Sequence, residues 1–252
     1  MPCLALILDQ YLTYLCFCAG NGYELTYRGP KDESPAVIED EVPQFSHVVI
    51  LSEAKCTSWA ASIAYLIFLP PRLAAFAKDI TPQSLVKLLV SGTNVIFSLS
   101  QKASILTSLA TEFSLVLPPP GTPLISYFPE REEASSVIPI AIQANSAIPV
   151  STTAPVWFSG VPFALGNNPQ LFSILNAPAE SFAADSDSGA DALVDASEKG
   201  GEGLWAGSQL SVVAGFQVAG GARAAWVGGS EIFSDAFAQK QWKGYVVLIS
   251  FS

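Results

Sequence analysis

The order of apolar and polar positions predicts strands alternating with helices over the first 120 residues. Residues 4–8 (LALIL) form a short apolar run with the look of a buried parallel strand, and residues 11–19 read as a helix. Gly20-Asn21-Gly22 breaks that helix, and residues 23–28 (YELTYR) are a β-type stretch. Residues 29–44 are charged and carry three prolines, which predicts a loop. His47–Ser52 (HVVILS) is the next buried strand.

Thr81-Pro82 marks a helix start, with Thr81 as N-cap and Pro82 at the first helical position, where a missing N–H costs nothing. The helix runs through Leu85, Leu88 and Leu89 and stops at Gly92. Residues 94–99 follow as a strand, 103–113 as a helix and 114–117 as a short strand before Pro118-Pro119-Pro120-Gly121. Strand and helix alternating at this spacing imply βαβ units with right-handed crossovers. The expected class is α/β, with a flavodoxin-like, mainly parallel sheet in the N-terminal half.

After residue 120 the pattern changes. Prolines at 123, 129, 139, 149, 155, 162, 169 and 178 leave no room for a long helix, so short strands and extended loops are expected. Residues 183–203 are nearly all Ala, Asp, Ser, Gly and Glu, with six acidic residues and one lysine. Such a stretch cannot bury enough apolar surface to order itself and reads as a flexible, exposed acidic insertion. Residues 209–216 and 222–227 are strands joined across Gly220-Gly221 as a hairpin, and Ser230 is the expected N-cap of a last helix through residue 239. The organisation expected is an α/β half over 1–120 and a strand- and loop-rich continuation of the same region over 121–252. No internal repeat is present.

Composition narrows the function classes. Half of the 252 residues are apolar and 13% are charged, which excludes a disordered chain. The net charge of −10, with pI near 4.5, argues against a nucleic-acid binder, which needs a basic footprint. No segment reaches the roughly 18 uninterrupted apolar residues of a membrane helix. The terminal run 245–251 (YVVLISF) is expected to pair with a sheet edge or stay exposed rather than span a bilayer. No targeting signal is read at the N-terminus.

Candidate chemistry is sparse. The four cysteines are Cys3, Cys16, Cys18 and Cys56, none in the CxxC spacing of zinc or redox sites, and small buried hydrophobes are the bland reading. A cysteine–histidine nucleophile pair would need a glycine-flanked elbow around the cysteine, which none has. His47 precedes a buried strand, whereas such a base sits beyond a strand's C-terminal end. Gly220, Gly221, Gly228 and Gly229 match neither GxGxxG nor GxxxxGK[ST], so hairpin and strand-end geometry is expected there. The carboxylates cluster in polar stretches that read as solvated faces. No catalytic, cofactor-binding or metal-binding residue is assigned.

Several segments nevertheless carry a resemblance. NGYELTYRGPKDESP, ending in HVVILS, resembles the first lumenal segment of the oligosaccharyltransferase beta subunit family, where an Arg-Gly-(Phe/Tyr)-Glu-Leu-Thr strand precedes a polar loop and a buried strand. GGARAAWVGGSEIFSDAFAQ at 220–239 is similar to the family's Asn-Ala-Arg strand followed by Gly-Ser and Phe-Phe-Ser-Asp. PVWFSGVPFALGNNPQLFSIL at 155–175 and AFAKDITPQSLVKLLVSGTNVIFSLS at 75–100 fall in the family's order between them.

The resemblance implies a noncatalytic subunit of the endoplasmic-reticulum complex that moves a preassembled glycan from dolichol diphosphate to asparagine in Asn-x-Ser/Thr. It also implies a structural or substrate-presenting role, other transferase subunits as partners, no cofactor, and the lumenal face of the membrane. The family's C-terminal membrane anchor is expected to be missing from this chain, so that membrane association would come through the complex. The rival class is an amidotransferase-like or sugar-binding α/β enzyme whose activity would depend on Cys56 or His47.

Overall fold

The computed structural model describes residues 20, 23–24, 26–28, 34, 36–52, 66–69, 81–102, 104–128, 134–142, 155–184, 191, 205–217 and 221–238. The expectations for residues 4–8, 11–19 and 245–251, and the four cysteines, lie outside them. In chain order the first strands are β1 (Tyr27–Arg28), β2 (Ile38–Glu39), β3 (Val42–Pro43), β4 (His47–Ser52) and β5 (Leu66–Leu69). Helix α1 (Pro82–Val90), β6 (Asn94–Ser98), α2 (Ile105–Glu112) and β7 (Leu115–Val116) follow. Then come β8 (Leu124–Ser126), β9 (Ile138–Ile140), β10 (Val156–Phe158), β11 (Ala164–Leu165), β12 (Leu171–Asn176) and β13 (Ser181–Ala183). Strands β14 (Ser211–Gln217) and β15 (Arg223–Val227), a 3₁₀ turn at Ser230–Phe233 and a short helix α3 (Asp235–Ala238) complete the described chain.

The main sheet has seven strands in the order β1-β5-β4-β6-β15-β14-β12. The pairings from β1 across to β15 are parallel. Strands β15–β14 and β14–β12 pair antiparallel. The class is therefore α/β as expected, but the sheet is mixed. Its parallel part takes in β15 from the C-terminal half, and the expected hairpin then reverses the chain and carries an antiparallel edge. Strand β4 shows why such strands read as unbroken apolar runs: Val48, Val49 and Ile50 are all buried, so both faces of the sheet are covered there.

Local chemistry sets the helix ends. The Thr81 hydroxyl accepts the Ser84 N–H at 3.1 Å, and the Ser84 hydroxyl accepts the Thr81 N–H at 2.8 Å, a closed capping box. At the other end Gly92, with φ of +95°, donates to Leu89, and Thr93 donates to Leu88, which forms a Schellman turn. Thr81→Ala should cost about 1 kcal/mol, read as a lower urea midpoint at unchanged slope. Helix α2 lies within the expected 103–113, and Ser114, with φ of +70°, turns the chain into β7.

Both helices lay their apolar faces on one side of the sheet. Leu85, Leu88 and Leu89 of α1 and Leu106, Leu109 and Ala110 of α2 share a core with Val48, Ile50, Val95, Phe97, Ala224 and Trp226. Alternate residues of β4, β6 and β15 supply that face, the period-2 pattern of strands. At its centre Trp226 stacks on Phe97, with centroids 4.3 Å apart, and Phe113 lies 5.4 Å from Trp226 and edge-on to Phe216.

Three expectations are corrected. The predicted loop 29–44 contains a two-residue hairpin, β2–β3, with Asp40 and Glu41 both at positive φ (46° and 68°). This turn lacks the Asn-Gly or Asp-Gly that usually announces it. The last helix is split: the 3₁₀ turn is capped by Gly229, Ser230 lies inside it, and Ser234 is extended before α3. Ser234 competes with helix continuation because its hydroxyl and N–H both turn back to the Glu231 carbonyl. Finally, the flexible, exposed acidic insertion expected over 183–203 does not include its first two residues. Ala183 ends β13, and both it and Ala184 are buried, with Ala184 in a small core beside Ile125 and Phe182. Apart from Asp191, the rest of 183–203 lies outside the described residues.

Candidate functional site

Open α/β sheets hold ligands in the crevice beyond the carboxyl ends of their parallel strands. Here that end of β6 and β15 is occupied by the chain itself. The segment Ser159–Gly160–Val161, which follows β10, sits on Gly228 and Gly229, which follow β15. Val161 N–H donates to the Gly228 carbonyl at 2.7 Å, Leu99 N–H to the Val227 carbonyl at 2.8 Å, and Leu124 N–H to the Gly160 carbonyl at 2.8 Å.

Backbone meets backbone so closely that side chains do not fit. A Cβ on Gly228 would lie 2.0 Å from the Val161 carbonyl oxygen, and one on Gly229 2.3 Å from the Ser159 oxygen. On Gly160 it would lie 2.3 Å from the Gly228 oxygen. The strand-end reading of Gly228 and Gly229 is therefore correct, and its physical cause is close packing. A phosphate cradle would need free amides, but the Gly228 N–H is already given to the Val212 carbonyl at 2.9 Å. Gly221 precedes β15, and Gly220 lies outside the described residues. The sequence showed the glycines, but nothing in it named Gly160 as their partner.

A cleft between Leu99–Lys102, the first turn of α2 at Thr107 and Pro118–Pro120 has about 20 Å³ of open volume. That is room for a single water, against roughly 300–1,000 Å³ for pockets that take small-molecule ligands. Among the described residues no three His, Cys, Asp or Glu side chains converge as metal ligands. No described helix is long and apolar enough to cross a membrane.

The polar cluster lies at the opposite, amino end of the same strands. His47 opens β4, Asn94 opens β6 and Arg223 opens β15, and His47 and Asn94 are partners in register. The Arg223 N–H donates to Asn94 Oδ1 at 2.9 Å, and Asn94 Nδ2 lies 3.2 Å from His47 Nε2. His47 Nδ1 lies 3.0 Å from the Ser46 hydroxyl. Tyr23 meets the imidazole edge-on with centroids 5.3 Å apart. Burial holds the pKa of His47 below its ordinary 6.5. The position at the amino end is the one expected from the sequence, and Cys56 lies outside the described residues.

The family model described as OST48, N-terminal domain, matches residues 61–246. No curated protein matches the chain. Among solved structures it is similar to a chain described as mmIFT52 N-terminal domain, at 12% identity and a TM-score of 0.44, over 68% of each chain.

Proposed function

This chain belongs to the OST48 N-terminal domain family, and on that premise we propose that it serves as a noncatalytic subunit of the oligosaccharyltransferase complex. The family match over residues 61–246 is the observation that carries this reading. In it the chain takes part in protein N-linked glycosylation at the lumenal face of the endoplasmic-reticulum membrane, and the glycan passes from dolichol diphosphate to asparagine on another, multi-spanning subunit. The part played here is to hold neighbouring subunits or to present substrate, without a cofactor.

The seating of Ser159–Val161 on Gly228 and Gly229 supports a structural role, because it fills the crevice a flavodoxin-like α/β enzyme would use. We read the parallel run from β1 to β15 as the flavodoxin-like part, residues 121–252 as its continuation, and the acidic stretch up to residue 203 as an exposed insertion.

Recovery from cells tests the reading. A tagged copy of the chain, solubilised in mild detergent, should bring down the multi-spanning catalytic subunit and its accessory neighbours. Recovery of the folded chain free of every transferase subunit would overturn it.

A further inference from the structure

We draw no further inference here: the strongest candidate, the exposed apolar face of α1 at Val86 and Val90 with Val42 of the hairpin that Glu41 ties to Lys87, carries nothing because nothing in the structure shows what covers it.

Discussion

Gly228→Ala should lower the stability of the chain by about 3 kcal/mol or more, at the upper end of overpacking costs. The added carbon would lie 2.0 Å from the Val161 carbonyl oxygen and 2.9 Å from the Phe158 ring. The first neighbour is backbone and cannot rotate away. It belongs to the segment whose Val161 N–H is held by the Gly228 carbonyl, so relieving the clash also stretches that bond. For a chain of this size the expected loss corresponds to a thermal midpoint lower by about 6–12 °C. Gly92→Asn is the matched control, because nothing lies within 4 Å of its Cβ position and asparagine tolerates a positive φ. It should stay within about 1 kcal/mol of wild type. Equal midpoints for the Gly228→Ala chain and wild type would remove the close-packing account of the strand end.

Trp226→Ala should cost about 3–5 kcal/mol, the range for emptying a buried aromatic site. The ring is fully buried between Phe97 and Phe113, and both the stack and the filled volume disappear together. Trp226→Phe should cost much less, for a reason visible at the indole nitrogen. Trp226 Nε1 is buried and finds no acceptor among the described residues. Burying such a donor without a partner costs about 1–3 kcal/mol, and phenylalanine removes it while keeping most of the stack. Urea midpoints of the two variants check this. A phenylalanine chain as unstable as the alanine chain would mean that Trp226 acts through its N–H and not through its area.

The elements that were legible in the sequence carry their cause within a few residues. Thr81-Pro82 at a helix start, Gly92 at its end and the doubly buried run of β4 are local signals, and each holds. The turn at Asp40-Glu41 escaped because neither residue favours positive φ strongly enough to show it. The mixed character of the sheet escaped for a different reason. Whether β12 lies parallel or antiparallel to β14 depends on a partner about 40 residues away, and its bulges after Ser173 and Leu175 blur the alternation further. The amino-end cluster was invisible as well: His47, Asn94 and Arg223 meet only because three strands happen to share a register. The family's order of segments was legible where no single site was, since each of those segments is a recognisable stretch of local structure.

The place of β15 in the sheet has a consequence for how the chain is made. Strand β6 pairs on one side with β4, some 45 residues earlier, and on the other with β15, about 130 residues later. At a synthesis rate of about 5–20 residues per second, the β6 edge waits roughly 6–26 s for its second neighbour to leave the ribosome. During that wait Phe97 lacks the Trp226 ring that covers it, and the unpaired edge is open to any extended strand nearby. A nascent chain stalled before residue 223 should therefore be held by chaperones or aggregate, and release of the last described segment should be the step that ends its dependence on them.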